Sequence, residues 1–458
     1  MKLPIKLLTW LFGIWMKFVL NIEAIPINVY DLHSSRQYNF RINEINNREY
    51  SGKFLHITDI HLDPYYLHNR KPEKYCRRYA KKSKNNKSGI FGTLGSQCDS
   101  PHELVDSAFS FLKENFQDVD FVIYTGDSLR HDRDPKLPFL KDEVVSGHKA
   151  IVKYVTETFD LNKTKFIPTL GNNDEWEHNQ LGGGTNTLFS NLTQIWAPLN
   201  LNLTDDFTNG GYFRQDVNSK LSVLSLNSLY FYESNEQIKD CDHKKSPGAI
   251  QLKWIEYQLK NARKEGRRIF IAQHVPPLDS DGEPSFLPKC QDKFVQLLGK
   301  FSDVISGHFS GHTNLDALTF LTESANVRDK YSLYYLDKDE GPSKNSVNNI
   351  ILVLNNAPSI VPSKYSTSSG TFGLLSDYIQ YYLDIKKANE LGKAEWEIEY
   401  IASESYNMRQ LSPSEWANVL NEMKCKHRVS DVFISVDTYL QKVSESQLPT
   451  RKVAGNTD

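Results

Sequence analysis

The chain has 458 residues, a formal net charge of −2, 39% hydrophobic residues and 12% aromatic residues. This length is enough for one large domain or two ordinary ones, and the composition is that of a globular protein, not of an intrinsically disordered one. The near-neutral charge argues against a general nucleic-acid or membrane-surface binder, so any electrostatic function must be local.

The N-terminal residues have the pattern of a targeting segment. Lys2 and Lys6 precede an apolar run over residues 7–16, and Lys17 interrupts it before a second short apolar run. The run is too short to span a bilayer comfortably, which favours a signal peptide or a signal anchor, with a buried N-terminal helix as the alternative. We assign residues 1–47 to this segment and a linker and expect the chain to enter the secretory pathway. An uncleaved segment would attach the protein to a membrane.

Two further features agree with a secretory route. Four Asn-x-Ser/Thr sequons are candidate glycosylation sites, namely Asn86, Asn162, Asn191 and Asn202. Five cysteines occur without any Cys-x-x-Cys spacing, which disfavours a zinc knuckle. In an oxidising compartment we expect Cys76 to pair with Cys98 and Cys241 to pair with Cys290, which leaves Cys425. The sequence does not fix this connectivity, and five separate buried thiols are the alternative.

The first half of the chain repeats a strand, a polar tip and a helix. Apolar runs over residues 54–57, 121–124 and 166–170 predict strands, and each run stops at polar residues. The helical spacing of apolar residues predicts helices over residues 104–116 and 144–159. This alternation predicts βαβ units whose parallel strands end at one site.

The rest of the chain adds further strands and helices. Apolar runs at residues 212–217 and 221–226 flank a short polar turn and predict a hairpin. The elements predicted after it are helix 248–264, strand 269–272, a helix near 291–300, strand 304–306, and strands 349–354, 378–385 and 396–401. We place the main domain at residues 48–405 and treat residues 406–458 as a C-terminal helical region with a polar tail.

The predicted strands are followed by side chains of the kinds that bind metal ions. These are Asp59, His61, Asp127, Asn172, His274, His312 and Asn314. Their mixture of carboxylate, amide and imidazole groups predicts two divalent ions, with one aspartate bridging them at about 3.5–4 Å. Each residue alone has an ordinary explanation, since His274 suits a turn, Asn172 a helix cap and Asp127 a turn after glycine. The set as a whole favours the metal site.

The order Asp-x-His, Gly-Asp-x-x-x-His, Gly-Asn-x-Asp, His and Gly-His-x-Asn is similar to that of the calcineurin-type metallophosphoesterase superfamily. Within it, the chain resembles the acid-sphingomyelinase-like branch, and within that branch the fungal vacuolar endopolyphosphatases. The matching stretches are residues 56–61, 63–66, 98–101, 125–132, 170–174, 274–277, 311–316 and 356–362. Together they span residues 53–405. The likeness weakens towards the C-terminus, and residues 363–371 are not placed by it.

This resemblance implies an α/β fold, a four-layer αββα sandwich in which two mixed β-sheets are flanked by helices, with a small C-terminal helical extension. It implies two divalent metal ions, drawn from Mn, Co, Mg and Zn. The implied ligands of one ion are Asp59, His61, Asp127 and Asn314, and those of the other are Asp127, Asn172, His274 and His312. His308 competes for a ligand position, and we favour His312 because the rest of the motif follows it.

Two positions depart from the family pattern. Many members carry histidine where this chain has Asn173, and that histidine can protonate the leaving group; they also commonly carry a second histidine where this chain has Asn314. An alcohol leaves poorly without a proton donor, whereas phosphate, with a second pKa of about 6, leaves readily. Asn173 therefore favours phosphoanhydride substrates, and His131 remains as a candidate proton donor or transition-state clamp. The amide oxygen of Asn314 shifts the metal preference from zinc towards manganese, cobalt or magnesium.

A basic loop at residues 70–84 follows the first strand and carries a single glutamate among its cations. Its Lys81, Lys82 and Lys84, together with Arg130, are candidate binding residues for a polyanion, and an ordinary solvated loop is the alternative. We therefore predict an endopolyphosphatase that cuts inorganic polyphosphate internally in the vacuole. The alternatives are a sphingomyelinase-like phosphodiesterase, a nucleotide phosphohydrolase, or a catalytically weak polyphosphate-binding protein. The sequence leaves open a homo-oligomer, the metal identity, the chain-length preference and proteolytic maturation.

Overall fold

The computed structural model describes residues 52–335, 349–360, 368–372, 377–409 and 411–425. Within these ranges the chain forms thirteen β-strands and nine α-helices. The predicted N-terminal segment and the polar C-terminal tail lie outside the described residues.

Two β-sheets form the centre of the molecule. The first contains β1 (Phe54–Ile57), β2 (Phe121–Tyr124), β3 (Lys165–Pro168), β11 (Ser368–Phe372), β12 (Ile379–Leu383) and β13 (Trp396–Ile401), in the order β13-β12-β11-β1-β2-β3. The second contains β4 (Phe213–Asp216), β5 (Leu221–Ser225), β6 (Arg268–Ala272), β7 (Ile305–Ser310), β8 (Ala317–Glu323), β9 (Tyr331–Tyr335) and β10 (Ile350–Asn356), in the order β4-β5-β6-β7-β10-β8-β9. Strands β1 to β3 are mutually parallel, as are β5, β6, β7 and β10, and the other pairings are antiparallel. Both sheets are therefore mixed, as predicted.

The helices are amphipathic segments that bury one side. Their bounds are α1 (His102–Asn115), α2 (Lys141–Thr158), α3 (Thr187–Ile195), α4 (Asp205–Gly210), α5 (Pro247–Glu265), α6 (Pro288–Lys300), α7 (Ile385–Leu391), α8 (Ala402–Ser405) and α9 (Pro413–Cys425). Helix α5 shows the usual end signals, because Ser246 accepts a hydrogen bond from the Ala249 amide, Pro247 opens the first turn and Gly266 closes the helix. Among the described residues, none of the helices combines the length and the apolar character that a bilayer crossing requires.

The two sheets pack face to face through aromatic side chains. The ring of Phe54 on β1 lies 5.4 Å from Phe270 on β6 and 5.2 Å from Phe309 on β7, measured between centroids. Side chains alternate between the two faces of a strand. Ile269 and Ile271 therefore point to the opposite face from Phe270, into a core that they share with α5 and α6. Helices α1 and α2 pack on the first sheet, which completes the predicted αββα sandwich.

The register of the strands determines where their loops leave the sheets. Ile57 pairs with Tyr124 and Tyr124 pairs with Pro168, so β1, β2 and β3 end in one row. In the second sheet Ala272 pairs with Phe309, so β6 and β7 also end close together. Open sheets of this kind place ligands outside the carboxyl ends of their parallel strands. The polar tips that follow these strands are therefore brought to one edge.

Several elements differ from the sequence prediction. Residues 368–372, which no pattern placed, form β11 and lie antiparallel to β1. The predicted strand 378–385 ends at Leu383, because the Asp384 side chain accepts a hydrogen bond from the Lys387 amide and starts α7. Strands β8 and β9 and helices α3 and α4 were not predicted, since their short segments mix apolar and polar residues without a clear period. From β11 onward the described residues are thus a mixture of strands and helices, with α9 as the longest helix.

Two disulfide bonds connect the expected cysteines. Cys76 is bonded to Cys98 and Cys241 to Cys290. The first bond joins the basic loop to the segment that precedes α1, and the second joins the segment before α5 to α6. The alternative of separate thiols is therefore wrong for these four residues. The side chain of Cys425 lies outside the described part of the chain.

Candidate metal centre

The loops that follow strands of both sheets bring acidic and imidazole groups together. Asp59, Asp127 and His274 each offer one ligand atom, and these three atoms lie within 4.8 Å of one another. All three side chains are buried. Asp59 and Asp127 follow the first sheet, whereas His274 follows the second, so the cluster forms only when the two sheets pack. We call it, with the other predicted ligands, the metal cradle: Asp59, His61, Asp127, Asn172, His274, His312 and Asn314.

Most residues of the metal cradle have an unusual backbone conformation. The φ angle is 50° at Asp59, 44° at His61, 57° at Asp127, 72° at His312 and 61° at Asn314. Residues other than glycine rarely adopt positive φ, and those held there by their surroundings concentrate at functional sites. The backbone therefore carries strain at the points where the predicted ligand side chains leave their loops.

Two histidines of the metal cradle share one orientation. His61 Nδ1 lies 2.9 Å from the Leu129 carbonyl, and His274 Nδ1 lies 2.8 Å from the Thr125 carbonyl. A carbonyl can only accept, so each Nδ1 carries a proton and donates it. Each Nε2 then faces the same oxygen, Asp127 Oδ2, at 3.3 Å. Such second contacts commonly orient a metal-binding histidine.

The charges in the metal cradle favour a shared cation. Burial is the largest influence and would lower the pKa of His61 and of His274, but the charges and hydrogen bonds of Asp127 and Asp59 together exceed it and raise each pKa to about 9. Burial would raise the pKa of Asp127, yet the charges of His274 and His61 hold it well below its usual range. The aspartates of the metal cradle therefore carry negative charge that neutral histidines do not balance. A proton or a metal ion between carboxylate and imidazole balances this charge.

Asp127 is held from both sides by the loop after β3. The backbone amide of Asn173 donates to Asp127 Oδ1 at 2.8 Å, and its side-chain amide donates to Oδ2 at 2.7 Å. The Asp174 carboxylate accepts from the backbone amides of Asp127, Ser128 and Gly171 at 2.9, 2.8 and 2.8 Å. The structure thus places Asn173, predicted as catalytic, directly on the predicted bridging carboxylate.

Asn172 joins two histidines on the other side of Asp127. Its Oδ1 lies 2.8 Å from His274 Nε2 and 2.9 Å from His312 Nδ1, and these two nitrogens are 3.3 Å apart. Its Nδ2 donates to Asn179 Oδ1 at 2.8 Å and to His178 Nε2 at 3.0 Å. The amide is therefore oriented with its oxygen towards the histidines, where it can serve as a ligand atom.

Two oxygens of the metal cradle have unused hydrogen-bonding capacity. Asp59 Oδ1 and Asn314 Oδ1 are buried and have no hydrogen-bond partner among the described residues. The other oxygen of Asp59 accepts from Thr58 Oγ1 at 2.6 Å and from the His312 amide at 3.0 Å. Buried polar atoms are normally satisfied, because leaving one unpaired is costly. Oxygen and imidazole donors of this mixture fit divalent ions such as manganese, cobalt, magnesium or zinc.

Two glycines allow the loops of the metal cradle to come into direct contact. A Cβ atom on Gly171 would collide with Asp127 Oδ1, and one on Gly311 would collide with the side chains of Thr58 and Asp59. Each glycine lies in a Gly-Asn or Gly-His pair next to a predicted ligand. Any larger residue would push the two loops apart and open the metal cradle.

His131 lies beside the metal cradle. Its ring stacks on His61 with 4.0 Å between centroids. Asp99 binds it twice, through His131 Nδ1 at 2.7 Å and through the His131 backbone amide at 3.0 Å. Burial and then the charge of His61 lower the pKa of His131 to about 4. A neutral ring that donates through Nδ1 to Asp99 keeps Nε2 as an acceptor, and the donor role expected of His131 stays a prediction.

Arg130, predicted to bind substrate, is instead used to fix the start of α2. It is buried, and its guanidinium donates to the Glu143 carboxylate at 2.9 and 3.0 Å. The same guanidinium donates to the carbonyls of His131, Leu137 and Pro138. These contacts give Arg130 a structural role, and its predicted contact with the substrate stays a prediction.

The basic loop divides into anchored and exposed cations. Arg77 donates to Asp63 at 2.9 Å, and Arg78 donates to both oxygens of Asp134 at 2.6 and 2.8 Å. In contrast, Lys81, Lys82 and Lys84 are exposed to solvent. These three lysines therefore remain available for a polyanion.

The choice between His308 and His312 agrees with the geometry. His308 lies on β7 next to Phe309, which faces the first sheet, so His308 points the other way and packs against Phe294 of α6 with 6.2 Å between centroids. His312 lies in the metal cradle, and its Nε2 is 3.4 Å from the Tyr232 hydroxyl. His308 therefore packs between the second sheet and α6, whereas His312 lies in the metal cradle.

Three residues that contact the metal cradle or His131 were not predicted as site residues. Asp174 and Asp99 lie inside stretches that match the family, so their position next to Asn173 and Cys98 was a usable signal. His178 lies in an irregular loop with no strand before it, and nothing in its sequence surroundings indicated a contact with Asn172. Only the folded chain shows that contact.

Two family models match this chain. A family model described as calcineurin-like phosphoesterase matches residues 52–313, and one described as the acid sphingomyelin phosphodiesterase C-terminal region matches residues 340–440. A solved structure of a dimetal phosphatase from Danio rerio aligns at 11% identity and a TM-score of 0.39, over 72% of this chain and 95% of that chain. Calcineurin-like phosphoesterases use divalent metal ions, and the described residues include groups able to hold one.

Several named proteins are similar to this chain. An endopolyphosphatase from Kluyveromyces lactis is 34% identical over 60% of this chain, and the match spans only 42% of that protein. A sphingomyelinase phosphodiesterase C from Dictyostelium discoideum is 30% identical over 79% of this chain and 80% of its own length. Cyclic GMP-AMP phosphodiesterase SMPDL3A from Homo sapiens is 30% identical over 79% of this chain and 77% of its own length. The predicted family is thus confirmed: the chain belongs to the calcineurin-like phosphoesterases and is a hydrolase of the metallophosphoesterase type.

Proposed function

We propose that this hydrolase is an endopolyphosphatase that cuts internal phosphoanhydride bonds of inorganic polyphosphate. The observation that carries the proposal is the pair of hydrogen bonds from Asn173 to Asp127. An amide cannot release a proton to a leaving group, and this one is already committed to a carboxylate. Asn173 therefore supplies no proton, which favours a leaving group that departs without one, as phosphate does. The similarity to endopolyphosphatases from several fungi supports the same substrate.

The proposed division of the metal cradle is the one that the family resemblance implies. One divalent ion would be held by Asp59, His61, Asp127 and Asn314, and a second by Asp127, Asn172, His274 and His312. When bound, such ions activate water and neutralise charge on the phosphoryl oxygens. Asn173 and Asp174 hold Asp127 in place between the two halves. Asp99 fixes the ring of His131 beside His61, where Nε2, once protonated, would serve as the predicted proton donor or transition-state clamp.

The surroundings of the enzyme are part of the proposal. Two disulfide bonds require an oxidising compartment during folding, which supports a secretory route to the vacuolar lumen. Of the four sequons, Asn162 and Asn202 are exposed, whereas Asn86 and Asn191 are partly buried, so the first two are the better acceptors for glycans. The proposed domain division remains residues 48–405 with a C-terminal region at 406–458.

A direct test measures product length. The purified protein, loaded separately with manganese, cobalt, magnesium or zinc, is incubated with long-chain polyphosphate, and the products are resolved by gel electrophoresis. Intermediate lengths at early times are expected. Orthophosphate alone would indicate cutting from the chain ends, and unchanged polyphosphate with each metal would refute the proposal.

A phosphodiesterase is the second candidate, and one observation favours it. The relatives that match over most of both chains carry phosphodiesterase names, whereas the match to each of three endopolyphosphatases spans less than half of that protein. Hydrolysis of sphingomyelin, a cyclic dinucleotide or a nucleotide in the same assay, with polyphosphate left intact, would select this candidate.

A further inference from the structure

His178 and Arg133 are two basic side chains that lie outside the metal cradle. His178 is exposed and accepts a hydrogen bond from Asn172 Nδ2 at its Nε2, with a distance of 3.0 Å. Its remaining ring nitrogen, Nδ1, therefore carries the proton of the neutral ring. Among the described residues Nδ1 has no hydrogen-bond partner, so this donor is available at the side of the metal cradle formed by Asn172.

Arg133 lies on the other side, on a short segment that is fixed at both ends. His131, two residues earlier, stacks on His61 and is bound by Asp99. Asp134, the next residue, is buried and ion-paired with Arg77 and Arg78. Arg133 itself is exposed, and within the described ranges no carboxylate lies at ion-pair distance from it. The fold therefore anchors this segment while leaving the guanidinium free.

The two side chains border the metal cradle at different predicted ligands. Arg133 lies two residues from His131, whose ring stacks on His61, and His178 contacts Asn172. Asp132 is the acidic neighbour on this segment, and one of its oxygens accepts from the Phe139 amide at 2.9 Å.

We propose that Arg133 and His178 form an anion-binding subsite at the mouth of the metal cradle, which holds the phosphoryl group next to the one being cleaved. The inference rests on the proposed function and makes it more specific. In a condensed phosphate every phosphoryl group has a charged neighbour, and a guanidinium pairs well with its oxygens. In a phosphodiester that neighbouring position is occupied by carbon. The subsite therefore selects for phosphoanhydride substrates.

The test compares two substrates and one ligand on the metal-loaded full chain. The substrates are tripolyphosphate and bis(p-nitrophenyl) phosphate, which has a single phosphoryl group, and the ligand is non-hydrolysable imidotriphosphate, measured by calorimetry. Arg133→Ala and His178→Ala are each expected to weaken imidotriphosphate binding about tenfold, the loss of one hydrogen bond to a charged group. In both variants the ratio of kcat/KM for tripolyphosphate to kcat/KM for the diester is expected to fall by a similar factor, mainly because KM for tripolyphosphate rises.

Matched variants separate binding from folding. Lys136→Ala removes an exposed cation three residues from Arg133 and is expected to match the wild type. Arg133→Lys is expected to recover part of the binding, because it keeps the charge but not the planar fork. Metal content by mass spectrometry is expected to be unchanged in Arg133→Ala. Equal imidotriphosphate affinity in wild type and Arg133→Ala would overturn the subsite.

The calorimetry also separates failure of this inference from failure of the proposed function. If the wild type cleaves the diester but not polyphosphate, the endopolyphosphatase proposal is wrong. Imidotriphosphate binding still tests the subsite in that case. A tenfold loss of affinity in Arg133→Ala supports the subsite, and unchanged affinity rules it out.

Discussion

The metal cradle and the basic loop are both rich in charged side chains, and they are built in opposite ways. In the metal cradle the functional atoms converge because strands of two sheets end at one edge, and every charge is buried. In the basic loop Arg77 and Arg78 bind carboxylates, while the lysines remain in solvent. Position in the fold therefore determines which charges can act on a substrate, and the number of cations in a segment does not.

The anchored arginines also connect the two regions. Arg77 contacts Asp63 and Asp134, and it lies 3.9 Å from Asp99, the residue that orients His131. The basic loop thus helps to support the metal cradle through its buried cations. Its exposed cations are left for recognition of a polyanion. The following predictions test this division, beginning with the largest expected effect.

Asp127→Asn should reduce turnover by a factor on the order of a thousand, because the residue contacts histidines from both halves of the metal cradle. The steric shape is retained, so the thermal unfolding temperature should change little compared with the loss of turnover. Steady-state kinetics and metal analysis measure the effect. Asp292→Asn, an exposed carboxylate on α6, is the control, and substantial turnover in Asp127→Asn would rule out a bridging aspartate.

Arg77→Ala should destabilise the fold by about 3 kcal/mol, because it leaves buried carboxylates without their cation. Burial already raises the pKa of Asp63 to about 6 against the attraction of Arg77. Without Arg77 this pKa rises further, so the folded form holds its proton to higher pH. The loss of stability should therefore grow as the pH increases above about 6.

Denaturant unfolding at pH 5 and pH 8 measures the effect of Arg77→Ala. Lys82→Ala, in the exposed part of the same loop, should change the free energy of unfolding by less than about 0.5 kcal/mol. Equal effects of the two substitutions would erase the distinction between anchored and exposed cations.

Asp174→Asn should lower metal affinity by about 10- to 100-fold, the usual effect of changing a group that orients a ligand. The residue accepts three backbone hydrogen bonds from the loops that carry Asp127 and Asn172. Competition with a chelator measures the affinity. Asp160→Asn, which changes an exposed carboxylate far from the metal cradle in sequence, serves as control. Wild-type metal affinity in Asp174→Asn would show that the loops hold their shape without the Asp174 carboxylate.

Replacing Lys81, Lys82 and Lys84 together by alanine should have the smallest effect. Exposed charges are screened by salt and act weakly. We expect binding of long polyphosphate to weaken several-fold at low ionic strength and to converge on the wild-type value in high salt. Alanine at Lys153 and Lys163, which are exposed elsewhere, is the control. Identical binding at low salt would leave the basic loop with a supporting role only.

The sequence allowed prediction of the metal cradle because its members follow strands that periodicity reveals. Parallel pairing then places Asp59, Asp127 and Asn172 at one edge without further information. Which cations are free was not predictable. Arg130 and Arg133 are close in sequence and alike in chemistry, but only Arg130 meets a carboxylate, on α2. Ion pairing between distant elements leaves no periodic signal in a single sequence.

The strand that no pattern placed was β11. Its first four residues are serine, glycine or threonine, so they lack the apolar run by which strands are recognised. Tertiary pairing with β1 and β12 determines its conformation, since a partner on each side overrides a weak local preference. The strand at residues 368–372 therefore could not be predicted from the sequence, because its neighbours in the sheet determine it.

The position of β11 has a consequence for biosynthesis. β1 is made early and β11 late, yet they are neighbours in the sheet, with Leu55 opposite Phe372. One edge of β1 therefore stays open until most of the polypeptide has emerged from the ribosome, and unpaired edges of this kind are prone to aggregation. Such distant pairing also slows folding, because a long loop must close before the contact forms. Until its last strands are made, a nascent chain of this architecture therefore has an edge at which it can pair wrongly.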